Sequence, residues 1–410
     1  MERIKSKLVH GNIEKYKEQH HSLRYPVYDS VAFYFNTAEE IEASFKGEIN
    51  AFTYSRVSNP TIIDFEKRIN FVTGGIGSLA VSSGMAAIAN TVFSVCEQGD
   101  NVISTKYLFG HTYSFFNNTI ASFGIHARFT DLENINELED AIDEKTRLIF
   151  LENITNPQLI LFDIEAIAEI AKRHNILLVV DNTVATPYLF QSQAWGIDIE
   201  VISSTKAISG GATSVGGIIT AFESKKWQHV PKLKAYFDHF GNEALPRFLR
   251  KELYRNLGNC TSPHNAYLQT LGLETLGIRM DKISDNAYQL ASHLKEIPEI
   301  YHVNHPALED SPYYQYANKY FSGKAGCFVT FELKDKDACF RFMNKLKMIR
   351  RATNFCDNKS LIIHPDSTIY AEYSPEKRLE LLVNENMIRL SAGIEDMADI
   401  TNDIKQALND

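Results

Sequence analysis

The chain has 410 residues, 44% of them hydrophobic and 23% charged, which is ordinary usage for a globular protein and more chain than one hydrophobic core usually supports. It has no uninterrupted apolar run of about eighteen residues, the length that a membrane span requires. A net charge of −9 without a Lys/Arg-rich stretch lacks the electrostatic signature of a nucleic-acid binder. Composition therefore favours a small-molecule enzyme with a large domain and a smaller one.

The N-terminal sequence is charged and lacks the apolar segment of a secretory signal, so a cytoplasmic location is expected. The five cysteines never form a C-x-x-C pair, which is typical of a reducing compartment and argues against disulfides and structural zinc. The nearest pair of possible metal ligands, His302 and His305 at helical spacing, is better explained by a surface or capping role, and no metal is predicted. Residues 1–65 fit no element pattern and are expected to form an arm on a neighbouring subunit.

Residues 66–262 are predicted to form the large domain. Between Gly75 and Phe222, short apolar runs alternate with helix-like stretches, which indicates βαβ winding and a mostly parallel, doubly wound sheet. Asp163 is expected to cap a helix whose Ile164 and Ile167 lie on one face. The runs predicted to be strands are SLAVSS, NVIST, IHARFT, RLIFLE, ILLVVD, EVISS and GGIITAF.

A second pattern begins at the Ser262-Pro263 break and predicts a smaller α+β domain over residues 263–410. It starts with a long helical stretch and continues with strand-like runs around a second helix. Its segments are LQTLGLETLGIRM, GCFVTFEL, DACFRFMNKLK, SLIIHP and NMIRLSAGI.

Lys206 is the most informative single residue, because it follows two serines and a threonine directly after an apolar strand. At the end of a strand its amine can form an imine with a carbonyl cofactor, and Ser203 and Thr205 can bind a phosphate. Taken alone, a surface lysine beside a glycine-rich turn explains this segment equally well. Other segments must decide between the two interpretations.

Three further positions complement Lys206. Asp181 ends the ILLVVD run and can hold a pyridine nitrogen protonated, although a cap or structural acid is the simpler explanation of one carboxylate. The SSGMAAI segment leaves the amides of Gly84 and Met85 free for an anion, or forms a tight turn without a ligand. Arg389, in an apolar strand, can grip a substrate carboxylate or form a structural ion pair.

Together these segments resemble the Cys/Met-metabolism family of pyridoxal-phosphate (PLP) enzymes, which includes cystathionine γ-synthase, the cystathionine lyases, methionine γ-lyase and O-acetylhomoserine sulfhydrylase. The resemblance runs nearly end to end and implies PLP fold-type I, the α/β architecture of aspartate aminotransferase. The segments that carry it, in the family's order, are YSRVSNPTI, SSGMAAI, GDNVIS, ITNP, ILLVVDNTVATPY, SSTK, TSVGG, SPHNAYLQTLGLETLGIRM and RLSAGIED.

The resemblance implies a role for each matching residue. Lys206 would hold PLP as a Schiff base, Asp181 would pair with the ring nitrogen, and Phe109 would cover the ring. Asn156 would reach the phenolic oxygen, and Arg389, Asn354 and Asn156 would bind the substrate. The phosphate would be bound by Ser83, Gly84, Met85, Ser203 and Thr205, and by Tyr54 and Arg56 of an adjacent subunit. The active site would therefore be shared within a dimer, and in this family two such dimers usually form a tetramer.

Five positions depart from the family's pattern. Phe109 replaces a tyrosine and so lacks its phenol, and Ala207 and Gly211 replace a tyrosine and a histidine, which predicts a roomier pocket. Cys356 replaces a glycine, and Tyr370 replaces a histidine. These departures leave one alternative open, which is that the protein has lost catalysis and serves as a binding or regulatory module.

The missing phenol bears on the reaction. A thiolate leaving group benefits from a proton donor, whereas acetate is a weak base that leaves unaided, so Phe109 favours an O-acylated substrate. The predicted reaction is γ-replacement on O-acetyl-L-homoserine with sulfide or a thiol, which gives homocysteine or methionine. The alternatives are a methionine or cystathionine γ-lyase and a cystathionine γ-synthase.

Overall fold

The protein is described by a computed structural model over residues 3–12 and 20–409, in which the strands form two sheets. The larger sheet has the order β1-β7-β6-β5-β4-β2-β3. Only β7 runs antiparallel to its neighbours, and the remaining pairs in this sheet are parallel. Its strands are β1 (Gly77–Val81), β2 (Asn101–Ser104), β3 (His126–Phe129), β4 (Thr146–Glu152), β5 (Leu177–Asp181), β6 (Ile199–Ile202) and β7 (Gly217–Ala221).

All seven apolar runs predicted to be strands are strands of this sheet, and the α/β fold class is confirmed. The runs are continuously apolar because both faces of the sheet are buried. In β5, Leu178 and Val180 pack in one hydrophobic core, while Leu177 and Val179 pack in another on the opposite face. Helices on both faces complete the doubly wound arrangement.

The second sheet has the order β10-β11-β12-β9-β8 and its own core against helices of the C-terminal part. Its pairs are antiparallel except β10 with β11. The strands are β8 (Tyr301–Asn304), β9 (Phe328–Glu332), β10 (Arg350–Arg351), β11 (Leu361–Ile363) and β12 (Met387–Ser391).

The α-helices cover both sheets, and short 3-10 and π turns join them, among them the 3-10 turn Ala207–Ser209 directly after Lys206. The helices are α1 (Ile4–His10), α2 (Ala38–Lys46), α3 (Pro60–Thr73), α4 (Gly84–Val95), α5 (Gly110–Ser114), α6 (Ile135–Asp140), α7 (Ile164–Arg173), α8 (Thr186–Leu189), α9 (Lys234–Phe240), α10 (Ala244–Phe248), α11 (Arg255–Leu257), α12 (Pro263–Glu274), α13 (Leu276–Leu294), α14 (Tyr314–Phe321), α15 (Lys336–Lys345), α16 (Pro375–Glu380) and α17 (Met397–Leu408).

Local signals set the ends of several helices. Asp163 caps α7 as predicted, since its side chain accepts a hydrogen bond from the Ala166 amide. Ser262 caps α12 in the same way, at the start of the predicted small domain. The expected arm boundary at residue 65 falls inside α3. The division into an arm and two domains remains a prediction.

His302 and His305 are not on a helix, so their expected helical spacing is wrong. His302 lies in β8, and His305 is buried, where its Nδ1 accepts a hydrogen bond from the Ala307 amide at 3.2 Å. Within residues 3–12 and 20–409, no group of three or more His, Cys, Asp or Glu side chains is arranged to hold a metal ion. None of the helices in this part of the chain has both the length and the apolar composition that crossing a bilayer requires.

Candidate active site

A cavity of about 570 Å³ lies where β4, β5 and β6 end, at the edge where open α/β sheets bind ligands. The parallel strands deliver side chains from distant parts of the chain to this one place. Nine residues predicted from the sequence line it: Ser83, Gly84, Met85, Phe109, Asn156, Asp181, Ser203, Thr205 and Lys206.

Lys206 follows β6 and reaches into this cavity. Its Nζ donates a hydrogen bond to Asn354 Oδ1 at 2.9 Å and lies 4.5 Å from the centre of the Phe355 ring. Burial lowers the pKa of the Lys206 amine, and the positive charge of Arg389 lowers it further. A lower pKa increases the fraction of neutral, nucleophilic amine at a given pH.

Asp181 ends β5 and presents a carboxylate to the cavity. Its Oδ1 accepts hydrogen bonds from the Thr183 amide at 2.9 Å and the Thr183 hydroxyl at 2.5 Å. Burial raises the pKa of Asp181 to about 6, against the opposing effect of these two hydrogen bonds. Because the charged form is poorly solvated, a cationic partner in the cavity would stabilise it.

The N-terminus of α4 lies beside the segment that follows β6. The Ser83 side chain accepts a hydrogen bond from the Ala86 amide. The amides of Gly84 and Met85 have no helical carbonyl to donate to, because they are the first in the helix. A Cβ on Gly84 would lie 2.7 Å from Ser203 Cβ and 3.1 Å from Ser203 Cα. Glycine is therefore required by the close approach of the two segments, and the resulting cradle fits a phosphate.

Arg389 lies in the middle of β12 and is 1% exposed. Its Nη1 donates to Asn156 Oδ1 at 2.8 Å and its Nη2 to the Asn354 carbonyl at 3.3 Å, while its Nε has no partner among the described residues. Burial lowers its pKa to about 10, so it stays charged at neutral pH. No carboxylate of the described residues forms an ion pair with it, and a substrate carboxylate would supply the missing negative charge.

Tyr54 and Arg56 do not line the cavity of their own chain. Arg56 instead donates to the Arg255 carbonyl at 2.5 Å, and its guanidinium lies 5.6 Å from the Tyr54 ring. Their expected role in an adjacent subunit stays a prediction.

The expectation that Ala207 and Gly211 enlarge the pocket is wrong, because neither residue lines it. After Lys206 the chain turns away into the 3-10 turn, and Ala207 is buried in the core. A Cβ on Gly211 would lie 3.0 Å from Asn358 Nδ2, so that space is already filled.

Glu152, Thr183 and Phe355 are among the residues that line the cavity and were not singled out from the sequence. Glu152 ends β4 as Asp181 ends β5, and the same signal, an acid closing a buried apolar run, identifies it. The Thr183 hydroxyl accepts from the Ser203 amide at 2.8 Å and so connects the ends of β5 and β6. Phe355 has no comparable sequence signal.

Comparisons with known proteins agree with this geometry. Residues 5–409 match the family model described as Cys/Met metabolism PLP-dependent enzyme. L-methionine gamma-lyase of Pseudomonas putida is 36% identical over 385 residues, which is 93% of this chain and 92% of that protein.

Two solved structures are also similar. A Campylobacter jejuni protein described as an O-acetylhomoserine (thiol)-lyase, with PLP joined to a lysine, has a TM-score of 0.94 and 34% identity over all of both chains. The O-acetylhomoserine sulfhydrylase of Wolinella succinogenes has a TM-score of 0.78 and 46% identity over 86% of this chain and 99% of its own.

The fold and the site define a PLP-dependent enzyme of fold-type I. Lys206, the Asp181 carboxylate and the phosphate cradle at α4 are the donor set that PLP requires. The chain belongs to the Cys/Met metabolism family of PLP-dependent enzymes, and the predicted cofactor is confirmed.

Proposed function

We propose that the protein catalyses γ-replacement on O-acetyl-L-homoserine with sulfide or a thiol, releasing acetate and forming homocysteine or methionine. The observation that carries this proposal is Phe109, which lines the cavity without a hydroxyl that could protonate a leaving group. Acetate needs no such proton, whereas a thiolate does. The similarity to an O-acetylhomoserine sulfhydrylase at 46% identity supports the same substrate.

The roles proposed for the binding residues follow from their positions. Lys206 would hold the cofactor, Asp181 would keep its ring nitrogen protonated, and Phe109 would cover the ring and exclude water. Asn156 would reach the phenolic oxygen, and Arg389 would bind the α-carboxylate of the substrate through its unpaired buried charge. The phosphate is assigned to Ser83, Gly84, Met85, Ser203 and Thr205.

Proton transfer is assigned to Lys206. Bound PLP supplies an electron sink for negative charge at the substrate's Cα. The Lys206 amine, with its lowered pKa and its hydrogen bond to Asn354, would take the proton from Cα and move protons at Cβ. Asn354 would hold the amine in place between these steps.

The test is a product assay on the purified enzyme with PLP. Acetate should appear from O-acetylhomoserine when sulfide or methanethiol is added, and Lys206→Ala should abolish turnover while leaving the circular dichroism of the fold unchanged. If no acetate forms with any sulfur donor, the proposed reaction is wrong.

The rival function is a γ-lyase, favoured by the 36% identity to a methionine gamma-lyase. A lyase releases a 2-oxo acid and ammonia from methionine or cystathionine without added sulfide, so a 2-oxo acid assay separates the two. Cystathionine γ-synthase is tested by replacing sulfide with cysteine in the acetate assay and by offering O-succinylhomoserine.

Phe109→Tyr tests the observation that carries the proposal. Restoring the phenol should supply the proton that a thiolate leaving group needs, so 2-oxo acid formation from methionine should rise by roughly 100-fold, the lower end for general acid catalysis. Phe109→Leu, which adds no hydroxyl, should give no such gain. A Tyr variant with no gain would remove the support that Phe109 gives.

A further inference from the structure

One peptide group, between Leu108 and Phe109, is hydrogen-bonded at both ends by side chains from distant parts of the chain. The Phe109 amide donates to Glu152 Oε1 at 2.6 Å, and the Leu108 carbonyl accepts from Tyr370 Oη at 3.1 Å. Both side chains are buried, with 6% of Glu152 and 1% of Tyr370 exposed. The backbone that carries the Phe109 ring is therefore fixed from two sides.

The same two side chains also contact the backbone of Asn156. Glu152 Oε2 accepts from the Asn156 amide at 3.3 Å, and Tyr370 Oη lies 3.4 Å from the Asn156 carbonyl. Gln158 Nε2 donates to Tyr370 Oη at 3.4 Å and so orients this hydroxyl. The ring-covering segment and Asn156, which binds Arg389, are thus parts of one buried polar network.

Phe109 depends on this network because its side chain has no polar atom of its own. A phenylalanine ring is directed only by its backbone and by packing, whereas a tyrosine can also anchor its hydroxyl. The next residue is held as well: Tyr373 Oη donates to the Gly110 carbonyl at 3.0 Å, and a Cβ on Gly110 would lie 2.8 Å from the Ile369 carbonyl oxygen. Two departures from the family, Phe109 and Tyr370, meet at this place.

We infer that Glu152 and Tyr370 are positioning residues that set the depth and tilt of the Phe109 ring over the cofactor. In this role they act through the peptide group between Leu108 and Phe109, although Glu152 itself also lines the cavity. The inference rests on the proposed placement of Phe109 over PLP. In this chain the ring, which has no hydroxyl, is held through its backbone.

The first test measures PLP binding to the apoenzyme rather than turnover. Tyr370→Phe removes one hydrogen bond and should weaken PLP binding by about 2- to 10-fold, the range for one net hydrogen bond. Glu152→Gln should weaken it similarly, because its amide nitrogen would replace one of the two carboxylate oxygens that each accept from a backbone amide. The visible circular dichroism of bound PLP should shrink in both variants as the ring cover loosens.

Tyr320→Phe is the matched control. Tyr320 is also buried, and its hydroxyl donates to Asp163 at 2.6 Å, but at the start of α7, away from the cavity. It should lower the melting temperature comparably and leave PLP affinity and the visible dichroism unchanged. If Tyr370→Phe behaves like Tyr320→Phe, its hydroxyl is only structural and the inference is overturned.

A double-mutant cycle with Phe109→Ala distinguishes a failure of this inference from a failure of the proposed role of Phe109 as the ring cover. If Tyr370 acts through the Phe109 ring, Tyr370→Phe should have no further effect on PLP affinity once the ring is gone. If Tyr370→Phe weakens PLP binding by the same factor in the Phe109→Ala background, the inference is overturned and the proposed role of Phe109 is not. If Phe109→Ala binds PLP as tightly as the wild type does, the Phe109 ring does not cover the cofactor. That result would overturn the proposed role of Phe109 and the inference with it.

Discussion

Cys356 adopts the left-handed backbone region, with a φ of +47°. Side chains other than glycine occupy this region at a cost of roughly 1 kcal/mol. The thiol is fully buried, and its Sγ lies 2.8 Å from Cys327 Sγ. At Cys356, the buried packing of the thiol stabilises the fold, and the left-handed backbone conformation destabilises it.

Cys356→Gly should be more stable than Cys356→Ala by about 1 kcal/mol, because both lose the thiol and only glycine relieves the strain. Urea unfolding of the apoproteins measures the difference. At Cys339, inside α15 and also buried, the order should reverse, with glycine about 1 kcal/mol worse than alanine. The same order at both positions would contradict a strained backbone at 356.

Asp181 makes the stability of the apoprotein depend on pH. Because its pKa rises from 3.8 to about 6 on folding, the folded state keeps a proton that the unfolded state has already lost. Stability therefore falls as the pH rises from about 4 to about 6, and the penalty persists above that range. The proposed pairing with a protonated ring nitrogen would remove this penalty in the holoenzyme.

Asp181→Asn should stabilise the apoprotein at pH 8 by at most about 3 kcal/mol, and the gain should vanish near pH 4. Asparagine keeps one oxygen for the two Thr183 donors and carries no charge. Unfolding by urea across this pH range measures the effect, with the exposed Asp285→Asn as a control expected to change little. A gain that is the same at pH 4 and pH 8 would point to packing instead of charge.

At the scale of elements, the phosphate cradle depends on how closely the start of α4 approaches the segment after β6. Gly84 permits this approach, because a Cβ at this position would collide with the Cα and Cβ atoms of Ser203. The two elements are far apart in sequence and are brought together by the sheet order, in which β6 is separated from β1 by β7 alone.

Gly84→Ala should separate the two elements by a few tenths of an ångström and weaken PLP binding by at least about tenfold, since several phosphate hydrogen bonds lengthen together. Gly277→Ala, in α13, is the control: its Cβ would lie 3.0 Å from the far edge of the Tyr188 ring, which can shift. Fluorescence titration of the apoproteins gives both affinities. Equal affinities in both variants would argue against the cradle.

At the scale of the whole molecule, residues 20–59 expose apolar side chains that a lone chain would leave in water. Leu23 is 96% exposed, Tyr34 91% and Phe45 79%, and α2 buries no residue. Exposed apolar surface of this kind marks an interface. It supports the proposed arm on a second copy, which would also bring Tyr54 and Arg56 to that copy's cavity.

Complementation tests the shared site. Co-expressed Lys206→Ala and Arg56→Ala chains should form heterodimers with one intact site, restoring about a quarter of wild-type activity in a statistical mixture. Lys206→Ala with Asp181→Asn is the control, because both defects lie in the same subunit's cavity and no mixed dimer contains an intact site. Equal, negligible activity in both mixtures would mean that the site is not shared in this way.

Local pattern was sufficient for much of the structure. The buried strands are continuously apolar, and Asp163 and Ser262 carry recognisable cap chemistry. Asp181 ends β5, and Lys206 follows the neighbouring parallel strand β6. Strand ends of such sheets meet at one edge, so the spacing allowed these side chains to share a cavity, and the resemblance to the family assigned them to it.

Only the tertiary structure decided contacts between distant segments. That Tyr370 and Glu152 hold the same peptide group, that Ala207 and Gly211 turn away from the cavity, and that Arg389 is buried without an acidic partner depend on how the two sheets pack. Residue type and periodicity determine which elements form and which groups can react. The positions of those groups to within an ångström depend on long-range packing, for which a single sequence carries no local signal.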